Sequence, residues 1–130
     1  MGSGIETVSS LDELSTAVGF TVDEIKNMPF VADEITYTSY WQTMAQITYS
    51  GEGQSLTFRK SSGTEDNSGN YTAYADRLQI ACGTINIELK GDDGLYYLAV
   101  WQNDGYSYSI SCAGGLDASD FAAIVSGIVF

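Results

Sequence analysis

Catalysis near neutral pH draws on a short list of side chains, and this 130-residue sequence lacks the commonest of them, histidine. A Ser-His-Asp or Cys-His site is thereby excluded, and the usual ligand for soft metals is missing. The two cysteines, Cys82 and Cys112, stand 30 positions apart with no clip spacing, which argues against zinc. Every glycine cluster falls between strands or at a helix end, so none opens a helix to cradle phosphate. Carboxylate pairs remain. Glu88 is the acid well inside a predicted strand, yet Asn86 and Lys90 share its face and no second strand carboxylate stands opposite. It reads as part of a polar outward row, not as half of a glycosidase pair. Glu65-Asp66-Asn67 and Asp92-Asp93 are candidate calcium clusters, but neither has the alternate-position ligands of an EF-hand loop, and turn chemistry accounts for both. The expectation is a non-enzyme with no metal and no cofactor.

Binding is the better-supported class. Tyr97 and Trp101 alternate against Leu98 and Val100, which are expected to fill the core, so both aromatics are predicted to face outward. Tyr40 and Trp41 sit at the edge of another strand, and Arg59 and Arg77, two of five basic residues, are predicted outward as well. Tyr97, Trp101, Tyr40, Arg59 and Arg77 therefore form the candidate ligand site, a stacking surface for a glycan, a peptide or a lipid headgroup. The plainer alternative is cross-strand aromatic pairing that only stiffens the sheet.

Charge and composition narrow the partners. Five Lys plus Arg against 17 Asp plus Glu give a net charge of −12, which repels nucleic acid and anionic lipid at long range. Residues 1–130 are expected to form one domain. Met1-Gly2-Ser3-Gly4 reads as an expression remnant, with residues 1–8 a flexible lead-in. No run of about 18 apolar residues could cross a bilayer as a helix. Few basic residues, nine tyrosines and charge on only 17% of positions resemble secreted bacterial surface domains, which points to an extracellular location, secreted or lipid-anchored.

The elements that position these residues follow from periodicity. Across residues 84–111, three stretches alternate apolar and polar positions: Ile85, Ile87 and Leu89; then Tyr96, Leu98 and Val100; then Tyr106, Tyr108 and Ile110. Gly91-Asp92-Asp93-Gly94 and Asn103-Asp104-Gly105 join them as turns. The same period marks Ile35 and Tyr37, Ile47 and Tyr49, Leu56 and Phe58, and Leu78 and Ile80, with a turn at Ser50-Gly51-Glu52-Gly53 and a solvated loop over residues 61–70. Ser10-Leu11-Asp12-Glu13 has capping-box spacing for a first helix that Gly19 ends. Beyond it comes an irregular crossing that buries Met28 and Phe30. Asp117 caps a second helix whose stripe is Phe121, Ile124, Val125 and Ile128. The predicted fold is α+β, a single twisted antiparallel sheet of about seven strands in meander order with the N- and C-terminal helices on one face. That order separates Cys82 and Cys112 along the strands by roughly 20 Å, so no disulfide between them is expected.

Leu11-Asp12-Glu13-Leu14 through Val18-Gly19-Phe20, Met28-Pro29-Phe30, Ala45-Gln46-Ile47-Thr48-Tyr49 and Glu65-Asp66-Asn67-Ser68-Gly69 occur in that order. They are followed by Leu89-Lys90-Gly91-Asp92-Asp93-Gly94, Trp101 and Gly105-Tyr106-Ser107-Tyr108-Ser109-Ile110. With these motifs the chain resembles, over nearly its whole length, the DUF4367 domains of Gram-positive bacteria. The resemblance implies an extracytoplasmic domain that follows a signal or lipoprotein anchor, or that forms the outer part of a membrane protein encoded with sigma-factor regulators. More remotely, it implies the curved sheet, closed on one side by helices, of lipoprotein-carrier and sigma-regulator sensor proteins. It carries over no catalytic residues. Cys82 and Cys112 stand where the family pattern implies Asn and Ser or a similar residue, which argues against a family-wide disulfide and leaves one particular to this chain open.

Two functions compete. One is a non-catalytic ligand-binding or sensing domain of a cell-surface protein or lipoprotein; the other is a structural or protein-interaction module with no small ligand. Convergence of the five candidate residues on one concave patch would favour the first, and scatter the second.

Overall fold

The computed structural model describes residues 5–26, 30–41, 43–63, 75–82, 85–103 and 105–128, the side chain of Cys82 excepted. Strand β1 (Ile5–Val8) precedes helix α1 (Leu11–Val18), and strands β2 (Glu34–Tyr40), β3 (Met44–Gly51) and β4 (Gln54–Ser62) follow. After them come β5 (Asp76–Cys82), β6 (Ile85–Asp92), β7 (Leu95–Asn103), β8 (Tyr106–Leu116) and helix α2 (Ala118–Ser126). All eight strands form one open antiparallel sheet in the order β1-β2-β3-β4-β8-β7-β6-β5.

Two expectations change here. The strand count is eight, not about seven, because Ile5–Val8 pairs with β2 where a flexible lead-in over residues 1–8 was expected. The order is not one meander but two, β1 to β4 and β5 to β8, joined where β4 pairs with β8. Period-two alternation assigns faces but not neighbours, so this jump leaves no local signature.

Local sequence explains the ends of the elements. The N–H of Glu13 donates to Ser10 Oγ at 3.2 Å, and the Glu13 carboxylate accepts from the backbone N–H of Ser9 at 3.1 Å. The capping box thus closes one residue earlier than its usual partner. Gly19 ends α1 with φ +81°. At α2 the N–H of Asp120 donates to Asp117 Oδ1 at 2.8 Å, and Leu116 and Phe121 on either side of that cap are both buried. Glu52-Gly53 and Asp93-Gly94 take positive φ at both positions, the tight hairpin geometry that matches the twist of the flanking strands.

The register draws two neighbouring rows across the whole sheet. One runs Val8, Tyr37, Ile47, Phe58, Ile110, Ala99, Leu89, Leu78. The next, one residue along each strand and so on the other face, runs Thr7, Thr38, Gln46, Arg59, Ser109, Val100, Glu88, Gln79. The core cluster gathers Ile47, Phe58, Ile110, Ala99 and Leu89 of the apolar row, with Val8 and Tyr37 packed against it and Leu78 exposed at the edge, together with Leu14 and Val18 of α1, Phe121, Ile124 and Val125 of α2, and Val22, Ile25 and Phe30 from the crossing between α1 and β2. Each such side chain contributes roughly 1.5–3 kcal/mol on burial. Phe30 is buried as expected, while Met28 lies outside the described residues.

Candidate functional site

The five predicted site residues do not converge. Trp101, expected outward, is 4% exposed and belongs to the core cluster. Its ring stacks on Tyr108 at 5.2 Å with the planes 1° apart, and Tyr108 in turn stacks near Phe58 at 6.2 Å. Tyr97 lies where β7 bulges: Lys90 faces Leu98 and Gly91 faces Tyr96, leaving Tyr97 extra. A side chain at Gly91 would collide with the Leu95 carbonyl, so glycine is required opposite the bulge. The Tyr97 ring packs over Gly115, where an added Cβ would come within 2.8 Å of Cε1.

The error lies in the phase of β7. Its sequence is apolar on both faces, so alternation alone sets no direction. Pairing does: Ala99 faces Leu89 and Ile110, and Trp101 faces Tyr108, which makes Ala99 and Trp101 the inward set. Leu98 and Val100 therefore point to the other face, where Leu98 is buried but outside the core cluster. The correct phases of β6 and β8 were the signal that could have found this.

Tyr40 and Arg59 do meet, on the face turned away from the core. The Arg59 guanidinium carbon lies 5.7 Å from the Tyr40 ring centroid, and its Nε donates to Gln46 Oε1 at 2.8 Å. Gln46 Nε2 donates onward to Thr48 Oγ1 at 3.3 Å. Trp41, beside Tyr40 with ring centroids 6.1 Å apart, is 64% exposed. Arg77 is exposed on the same face but on the edge strand β5, four strands from Arg59 and about 19 Å away at the usual strand spacing. Gln46 and Thr48 were not among the candidate site residues read from the sequence, although their alternation with Ile47 places them on this face.

Lys60 is an unexpected inward basic residue, two positions beyond Phe58 and opposite Tyr108. Its Nζ donates to the Thr21 carbonyl at 2.6 Å and lies 4.5 Å from the Tyr106 ring centroid and 5.4 Å from that of Phe20. These contacts fasten the crossing segment to the end of the sheet. Burial pushes the Tyr49 hydroxyl up to about 12, and the N–H of Ile25 donates to its oxygen at 3.0 Å. Burial also raises Tyr37, whose hydroxyl donates to Glu24 at 2.8 Å.

Among the described residues, the acid–base and metal candidates stay apart. Glu88 forms an ion pair with Lys90 at 3.5 Å. Asp92 and Asp93 are exposed in their turn, and Glu65-Asp66-Asn67 lies outside the described residues. Among the described residues no group of three or more His, Cys, Asp or Glu could hold a metal ion, and no helix is long and apolar enough to cross a membrane. Cys112 is a free, buried thiol whose pKa burial raises. The register Arg77–Lys90–Leu98–Ser111 puts Cys82 and Cys112 on opposite sides of that row, six residues apart along the strands and three strands apart across the sheet.

A family model described as Domain of unknown function (DUF4367) matches residues 19–128. No curated protein and no solved structure matches the chain.

Proposed function

Because the chain belongs to the DUF4367 family, which assigns it no activity, we propose on physical grounds that it is a non-catalytic recognition domain of the cell surface, engaging a macromolecular partner through the sheet face that carries no helix. The observation that carries this reading is the split of the five candidate residues. Trp101 lies in the core and Arg77 at a distant edge, which disfavours a compact small-ligand site, while Tyr40 and Arg59 form an ordered cluster on the open face. The buried side chains of both helices belong to the core on the opposite face, which supports a working surface free of them. Low basic content and abundant tyrosine support a place outside the membrane.

The test is binding of the domain to immobilised oligosaccharides, extended peptides and lipid vesicles, beside a Tyr40→Ala/Arg59→Ala variant shown to be folded. A probe that holds the parent and loses the variant is the expected result. Binding to none, or binding that the double change leaves intact, overturns the reading. A second reading rests on β5, a seven-residue edge strand with Asp76, Arg77, Leu78 and Gln79 all exposed, which suits strand addition by a protein partner. Peptide binding that survives the double change would select it.

A further inference from the structure

Trp41 is the least explained side chain among the described residues. It is 64% exposed, so packing does not account for it, and it takes φ +51°, a conformation that glycine or asparagine adopts at less cost. A bulky aromatic held in a strained turn with its ring in solvent is available to contact something outside the chain. Beside it lie the Tyr40 ring and the Arg59–Gln46–Thr48 hydrogen-bonded chain, all presented by adjacent strands β2, β3 and β4.

The wider face has a second property. Over the paired positions of β2, β3, β4 and β8 the outward residues beyond Glu34 are threonine, serine, glutamine, one tyrosine, one methionine and one arginine; none is acidic, although 17 residues of the chain are, and all but the buried Thr38, Ser107 and Ser109 are partly exposed. One row, Thr36, Thr48, Thr57 and Ser111, sets four hydroxyls side by side at strand spacing. Resting on the open-face reading above, we propose that this face binds a glycan chain, with a pyranose ring stacked on Trp41 and Tyr40 and its hydroxyls bonded by Arg59, Gln46 and the threonine row.

The chemistry selects this partner over others. A sugar ring offers an apolar C–H face to an aromatic and a rim of hydroxyls to planar, paired donors and acceptors. Peptide backbones gain little on a sheet face, since the strand N–H and C=O groups there are already paired, and they would seek an edge instead. The face is too polar for acyl chains, and the charge of −12 repels nucleic acid.

The experiment is titration of the full chain with a neutral N-acetylglucosamine hexamer, a neutral glucan hexamer and a hexagalacturonate, followed by tryptophan fluorescence and iodide quenching. The chain has two tryptophans, one exposed and one buried, so binding should shield Trp41 from iodide while Trp101 reports an unchanged core. At least one hexamer is expected to bind, with Trp41→Ala and Arg59→Ala each weakening it by about tenfold or more and Tyr40→Phe close to the parent. Preference for the neutral or the acidic hexamer assigns the glycan's charge class. If no hexamer binds but a peptide or vesicle does so through Trp41 and Arg59, the glycan assignment falls and the open-face reading stands. Hexamer binding that ignores both substitutions removes the open face itself, and no binding by any probe removes both.

Discussion

The two neighbouring rows that cross all eight strands share the same backbone and differ in everything else. In the row that joins Tyr37, Ile47, Phe58, Ile110, Ala99 and Leu89, five residues are nearly inaccessible and belong to the same core cluster as the buried side chains of the helices and the crossing. In the row that joins Thr38, Gln46, Arg59, Ser109, Val100 and Glu88, all but Val100 are polar, Thr38 and Ser109 are buried, and Arg59 bonds to Gln46 while Glu88 pairs with Lys90. Period-two geometry makes such a division available to any sheet with one covered face. Here the first row holds the fold together, and the partly exposed members of the second, Gln46 and Arg59 among them, are left to meet a partner.

The largest expected effect falls on the covered side. Trp101→Ala removes a 4%-exposed ring stacked on Tyr108 and should cost roughly 3–5 kcal/mol in urea unfolding, without altering any ligand contact. A loss below about 0.5 kcal/mol, typical of a surface site, would return Trp101 to the open face.

The misplacement of Trp101 shows what the sequence could carry. Caps at Ser10 and Asp117, the two hairpin turns and the stripe of α2 were legible because each is decided by residues within a few positions of one another. Seven strands were legible from alternation. β1 was not, since Ile5–Val8 has too short a pattern and is ordered by pairing with β2, and neither was the β4–β8 junction, which depends on residues far apart in the chain. β7 failed for a third reason: both its faces are apolar, so only the register with Leu89 and Ile110 chooses between them. Of the site, Arg59 was read as outward and Tyr40 only as lying at a strand edge, and their meeting depends on side chains from β2, β3 and β4 together.

A smaller effect is expected at Tyr49, whose oxygen accepts from Ile25 beneath the core. Tyr49→Phe leaves that N–H unpaired and should cost about 1–2 kcal/mol. Its pH signature is specific. The hydroxyl ionises near its ordinary value of 10.0 when unfolded and at about 12 when folded, so the native state retains the proton longer and stability falls as pH rises across that interval. The parent should lose stability between about pH 10 and 12, and Tyr49→Phe should lose less; identical alkaline limbs in pH-dependent unfolding would mean that Tyr49 is not buried as described.

Ser39 sharpens the comparison from the other direction. It is 1% exposed on the covered face, and among the described residues its Oγ has no hydrogen-bond partner. Ser39→Ala should be neutral or stabilising by up to about 1 kcal/mol, because it relieves a buried polar group without opening a large cavity. Thermal unfolding that shows a clear loss would reveal a partner for the hydroxyl and a less purely apolar covered face.

Phe58 and Arg59 adjoin on β4 and belong to opposite rows, which makes their paired truncation the most direct test of the division between the faces. Measured side by side by urea unfolding, Phe58→Ala should cost roughly 3–5 kcal/mol and Arg59→Ala less than about 1 kcal/mol, the size of an exposed cation–π contact. Equal costs, or a greater cost for Arg59→Ala, would contradict the account, since the polar row would then be holding the fold together as much as the apolar one.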